Sequence, residues 1–145
     1  MGLFKKILLF YIALNIFNFS FAKEEFFNKG LEYFKDQKYE DARFMFERNL
    51  IFNPKNSNSY LYLAKIYNIV KDQKKEEKNL EATLLIDPDN EEAILMSMKI
   101  ALKQSNYSKV KNLSETFKKV CNELCDENAK ILKTLSNIEP QKNES

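Results

Sequence analysis

The 145-residue chain has no histidine and no tryptophan, and only two glycines, two cysteines and three prolines. Without His there is no imidazole to serve as a base near neutral pH or to complete a zinc ligand set. The glycines, Gly2 and Gly30, stand alone, so no glycine-rich loop can cradle a phosphate. Most enzyme classes lose their usual equipment, and no cofactor or metal is expected. What the chain does have is a 44% hydrophobic and 30% charged composition, enough apolar material for one globular core and too much for a disordered chain. Nothing in it alternates as a strand does, and the expected class is all-α.

The longest apolar run lies at the start. Lys5 and Lys6 precede residues 7–17, which are apolar except for Asn15, and Ser20-Phe21-Ala22 places small residues before a cleavage point. This is the order of a secretory signal peptide over residues 1–22. The run falls short of the roughly 20 apolar residues a spanning helix needs, so a cleaved and exported product is expected. The alternative is an uncleaved anchor formed by residues 7–22. No Cys stands near the junction, so the attachment point of a bacterial lipoprotein is missing. Cleavage removes Lys5 and Lys6 and no acid, leaving 21 basic and 21 acidic side chains. A balanced chain has no overall field to hold nucleic acid, and membrane contact is expected only through an uncleaved N-terminus.

Two of the prolines mark a period. Asn53-Pro54-Lys55-Asn56 and Asp87-Pro88-Asp89-Asn90 lie 34 residues apart, and the same offset pairs Phe26 with Tyr60, Gly30 with Ala64, Tyr33 with Tyr67, Phe46 with Leu80 and Leu50 with Leu84. Within each unit apolar residues recur at helical spacing on both sides of a polar break, so each unit reads as two helices. The residue before Pro is pushed out of helical geometry, which ends the second helix, and Asn56 and Asn90 are the expected N-caps of the next. Lys35-Asp36-Gln37-Lys38 recurs as Lys71-Asp72-Gln73-Lys74, offset by 36 rather than 34, so the second hairpin is expected to turn two residues late.

Phe26, Gly30, Tyr33, Ala42, Phe46 and Pro54 give this pattern its resemblance to the tetratricopeptide repeat, a helical hairpin of 34 residues. The first unit, about 23–56, matches in full; the second, about 57–90, has Glu76 where a small residue belongs; the third, about 91–122, has Met98 for a small residue and Asn122 for Pro. Lys29 and Asn49 also occupy places the family usually fills with apolar or small residues. The resemblance implies a solenoid of about three hairpins spanning 23–138, closed by a capping helix over about 124–138 in which Leu124, Ile131, Leu135 and Ile138 share a face. Residues 139–145 read as a flexible tail. About three stacked units suffice because one hairpin cannot bury its own apolar face.

Cys121 and Cys125 lie on one helical face in poor geometry for a bridge unless the turn opens. Three readings stand: an inert packed pair, a disulfide in an oxidising compartment, and a metal or redox site. A cysteine nucleophile lacks a His base. The pairs Glu24-Glu25, Glu40-Asp41, Glu76-Glu77 and Glu91-Glu92 sit where helices begin and read as solvated first turns favoured by the helix dipole. The mixed-sign run from Lys71 to Lys78 reads as surface, and the 12 Phe and 7 Tyr as core.

The resemblance also implies where function lies, since the first helices of successive units line a concave groove in this family. Carried over, the groove comprises Phe27, Leu31 and Phe34; Leu61, Lys65, Asn68 and Ile69; and Leu95, Lys99, Leu102 and Lys103. It has an apolar floor and a basic flank, suited to a protein segment with apolar anchors and acidic neighbours. The C-terminal helix or a second copy of the chain would be the competing occupant. Some family members clamp a C-terminal carboxylate with Lys and Asn, but the corresponding places here hold Phe27, Leu31, Tyr62, Glu92 and Met96, so that clamp is absent. The expected function is a non-enzymatic protein-binding scaffold of a bacterial periplasm or envelope, with a membrane-anchored structural subunit as the alternative and a hydrolase as the weakest reading.

Overall fold

The computed structural model describes residues 24–138, so the expected signal peptide and tail lie outside the described residues. Among the described residues every regular element is helical. α1 covers 24–35, followed by α2 (Tyr39–Phe52), α3 (Ser57–Ile69), α4 (Gln73–Ile86), α5 (Glu91–Lys103), α6 (Tyr107–Val120) and α7 (Cys125–Ile138). The helices pair as antiparallel hairpins, α1 with α2, α3 with α4 and α5 with α6, stacked in chain order. Their starts repeat without drift: α2, α4 and α6 begin 34 residues apart, and so do α3, α5 and α7.

Each hairpin turns through one left-handed residue, at Gln37 (φ 60°), Lys71 (φ 61°) and Ser105 (φ 56°). The hydrogen bonds are those of a Schellman ending. Lys38 N–H reaches the Tyr33 carbonyl at 2.9 Å, and Asp72 to Tyr67 and Asn106 to Ala101 repeat the bond at 2.9 Å each. The late second turn expected from the repeated Lys-Asp-Gln-Lys is therefore wrong. The bonding pattern sets the turn, and the second copy of the tetrapeptide straddles it one step further along. None of the three turn residues is Gly, so each accepts a left-handed conformation that costs about 1–2 kcal/mol. Asp72 and Asn106 offset part of that by capping the next helix, on Lys75 N–H at 3.2 Å and Lys109 N–H at 3.1 Å; Lys38 has no side-chain cap to offer.

The linkers between hairpins use two devices. Asn56 accepts from Ser59 N–H at 2.7 Å and Asn90 from Ala93 N–H at 3.0 Å, so both expected N-caps are in place after their Pro turns. The third linker has no Pro. There α6 ends at Val120, Cys121 turns extended (φ −63°, ψ 136°), and a disulfide joins it to Cys125 with the Cα atoms 5.3 Å apart. Of the three readings for this pair the structure contains the bridge, made possible because the helix opens between the two residues. Glu91 at the start of α5 then accepts the backbone N–H groups of Asn122 (2.7 Å), Glu123 (3.2 Å) and Leu124 (2.9 Å). Those bonds hold its carboxyl below the usual carboxylate range.

The core runs the length of the stack in three clusters. Phe46 and Ala42 anchor the first hairpin with Leu63, Ile66 and Tyr67; Leu61, Ala64, Leu80, Ala93 and Ile100 fill the middle; Ile94, Leu95, Met98, Val110 and Phe117 meet Ile131 and Leu135 of α7 at the far end. α7 thus stands where the first helix of a fourth hairpin would, and it closes the third. Asn49 is 1% exposed in α2 and hydrogen-bonds the Ser59 hydroxyl across the hairpin boundary at 3.0 Å, which is how a polar residue is tolerated there. Aromatic burial is incomplete: Phe44 lies 53% exposed on α2.

Candidate functional site

Three side chains at the same place in successive hairpins, Phe34, Asn68 and Leu102, lie one turn from the ends of α1, α3 and α5 and face a common hollow. With Lys65, Ile69, Met96, Lys99, Ile100 and Lys103 they line a cavity of about 530 Å³, to which Glu76 and Glu92 add carboxylates. Of the sequence-expected groove, the structure brings together Phe34, Lys65, Asn68, Lys99 and Leu102, with Ile69 and Lys103.

The remaining expected residues go elsewhere. Leu61 and Leu95 are 5% and 4% exposed and belong to the core, so neither presents a surface. Phe27 and Leu31 pack into the aromatic cluster of the first hairpin. There Phe27 lies 5.7 Å from the Phe46 ring and 6.1 Å from Tyr62, while Tyr62 stacks on Phe46 at 5.1 Å and meets Phe34 edge-on at 5.1 Å. The rings fill the concave side of the first hairpin and leave the open part to the second and third. Nor does the C-terminal helix fill the groove: no α7 residue lines the cavity, because Ile131 and Leu135 are committed to the core beneath α5.

The charges are arranged unevenly. Lys65 is only 20% exposed along its side chain, pairs with Glu92 at 2.7 Å and lies 4.5 Å from the centre of the Tyr62 ring. Lys99 and Lys103, one turn apart on α5, are exposed. Glu76 is the outlier. The sequence reading placed it in a solvated first turn, yet it is 4% exposed and accepts a hydrogen bond from Asn68 Nδ2 at 2.8 Å. The hairpin geometry accounts for the correction: Glu76 stands in register with Ala42 and Val110, both fully buried, so its backbone position points inward whatever side chain it carries. Burial pushes its carboxyl above the usual range, opposed by the Asn68 bond and the charge of Lys103.

Sequence reasoning missed Glu76, Met96, Ile100 and Glu92 as cavity residues. The signal for Glu76 was in view as a charged residue at a small-residue position. Glu92 and Met96 had been weighed only as places where a clamp would have stood. No residue lining the cavity is Ser, Cys or His, and among the described residues no group of three or more His, Cys, Asp or Glu side chains is placed to hold a metal ion.

No protein-family model matches the chain, and no curated protein matches its sequence. Solved structures do. The chain is similar to the type III secretion chaperone SycD of Yersinia enterocolitica in complex with a peptide of the translocator YopD, with a TM-score of 0.68 and 11% identity over 79% of this chain and 89% of that one. It is similar to the first TPR of Spaghetti (RPAP3) bound to the HSP90 peptide SRMEEVD, at TM-score 0.67 and 19% identity over 79% and 94% of the two chains. The Sgt2 TPR domain from Aspergillus fumigatus gives 0.67 and 13% over 79% and 80%. At these identities the likeness is one of fold, and the chain has the tetratricopeptide-repeat fold.

Proposed function

We propose that the protein is a non-enzymatic binding module of the periplasm or cell envelope, which holds a segment of a partner protein in the cavity between α1, α3 and α5. The observation that carries this reading is the alignment of Phe34, Asn68 and Leu102 along one hollow, flanked by Lys65, Lys99 and Lys103. Apolar side chains there supply burial for a partner's anchors, and the lysines, in excess over Glu76 and Glu92, favour acidic neighbours and set register and encounter rate. Two of the similar folds hold peptides, which supports a peptide as the occupant here. Its mechanism is binding rather than turnover.

The test is co-purification with the tagged protein from the exporting cell, beside a Lys99→Glu/Lys103→Glu variant whose fold circular dichroism confirms. A partner captured by the parent and lost with the variant supports the cavity; capture that is the same with both refutes it. Sequencing the N-terminus of the exported chain addresses location. A start at Lys23 supports a released periplasmic product, whereas a start at Met1 favours the anchored structural subunit.

A further inference from the structure

We infer that Glu76 is the specificity-determining residue of this cavity: it receives a Lys or Arg side chain of the bound segment in the floor, while Lys99 and Lys103 take that segment's carboxylates at the rim. The inference rests on the peptide-binding reading above and adds the charge pattern of the occupant.

Three observations lead to it. The first is position, because Glu76 occupies a helix-contact site that Ala42 and Val110 fill in the neighbouring hairpins with no exposure at all. A four-atom acidic side chain cannot be absorbed there as a methyl group is, and it reaches instead to Asn68 and the cavity wall. The second is its partnering. An ionised carboxylate offers about four acceptor sites, and among the described residues Glu76 has one neutral amide donor, Asn68 Nδ2. A buried charge held by one neutral donor is undercompensated, and a charged N–H donor arriving with the ligand would form the stronger, charge-assisted bond.

The third is the distribution of charge around it. Lys65 is already matched by Glu92 at 2.7 Å, so the pair is neutral. Glu77, next to Glu76 on α4, raises its carboxyl further, and Lys103 acts the other way without forming an ion pair within 4 Å among the described residues. What the cavity presents to an incoming chain is one carboxylate in the floor and two ammoniums at the rim. A segment with one basic residue between or beside two acidic ones matches them one to one and leaves no charge over. A purely acidic segment would set its anions against Glu76.

The experiment is selection of a random heptapeptide library displayed on phage against the purified protein. The expected result is enrichment of peptides that combine Lys or Arg with Asp or Glu. In a selected peptide, replacing the basic residue by Gln is expected to weaken binding to the unaltered protein about tenfold, in keeping with loss of a charge-assisted bond. Glu76→Gln, which keeps the acceptor toward Asn68, is expected to lose the basic preference and retain the acidic one; Lys99→Glu/Lys103→Glu, at exposed positions, to lose the acidic preference and retain the basic one. Selected peptides whose basic residue can be replaced without loss, or enrichment of acidic residues alone, overturn the role of Glu76 while leaving peptide binding standing. No enrichment with the unaltered protein overturns both.

Discussion

In the first hairpin a glycine lies under an aromatic ring; in the third, the residues 34 and 68 positions further on are Met98 and Ser114. A Cβ built on Gly30 would sit 2.7 Å from Phe46 Cε1, and Phe46 is fully buried, so the pair fits only because one member has no side chain. The third hairpin reverses the sizes, with a fully buried Met opposite a Ser that is 1% exposed. The second holds Ala64 and Leu80, between the two extremes. The backbone repeat is therefore indifferent to which helix supplies the volume, provided that the sum fits the space. The choice has a consequence on the concave side. Where the first hairpin spends its bulk on Phe27, Phe34, Phe46 and Tyr62, the rings close the groove over themselves; where the second and third use aliphatic and small residues, the groove stays open and lysines reach it.

That comparison can be broken most forcefully at Phe46. Phe46→Ala is expected to destabilise the protein by about 3–5 kcal/mol in urea unfolding. Adding Gly30→Met to that chain should recover part of the loss, although Gly30→Met alone is destabilising. A double variant no better than the sum of the two singles would show that the hairpins are not interchangeable in this way.

A smaller effect is expected where the two ends differ in their linkers. Cys121→Ser with Cys125→Ser opens a five-residue loop and should cost about 2 kcal/mol by loop-entropy reasoning. Hydrogen exchange should show the loosening concentrated in α7, whereas Pro54→Ala in the first linker should cost less than about 1 kcal/mol. Equal losses at the two linkers would remove the distinction between them.

Two serines sharpen the contrast further. The Ser59 hydroxyl is bonded to Asn49 at 3.0 Å, whereas the buried Ser114 Oγ has no hydrogen-bond partner. Ser59→Ala is expected to destabilise by about 1 kcal/mol, and Ser114→Ala to be neutral or stabilising by about as much. Calorimetric midpoints of the two variants read the sign directly.

The smallest effects are in pH dependence, where two glutamates respond in opposite directions. Glu91 titrates below its ordinary 4.5 in the folded chain, so its contribution is complete above about that pH and is lost as pH falls through its lowered value. Glu76 titrates above 4.5, so its ionisation opposes folding at neutral pH, and the cost is relieved as pH falls through its raised value toward 4.5. Glu76→Gln should thus raise the thermal midpoint at pH 7, and Glu91→Gln should lower it and flatten the acid limb of the stability curve. A Glu76→Gln chain that melts lower at pH 7 would contradict the burial cost assigned here.

Much of the fold was legible because its signals are local. Asn56 and Asn90 announce helix starts through their own side chains, Pro54 and Pro88 announce helix ends, and the period follows from residues that repeat. The turn of the second hairpin was misread because the letters Lys-Asp-Gln-Lys carry no information about which residue turns left-handed; that is decided by the bonds Asp72 makes to Tyr67 and Lys71 to Asn68. Within the groove, Phe34, Lys65, Asn68, Lys99 and Leu102 were read by their place in the repeat. Leu61 and Leu95 were misplaced because neighbouring stacked helices cover the face they lie on.

By itself the sequence determined the period, the helical class and the positions of the caps, because each depends on residues close together in the chain. The tertiary structure alone decided that the first hairpin's rings would seal their stretch of the groove, that Glu76 would be buried beside Asn68, and that Glu91 and a disulfide would stand in for the missing third proline. Those outcomes depend on what one hairpin places against the next, and the contact between residues about 30 positions apart has no local signature.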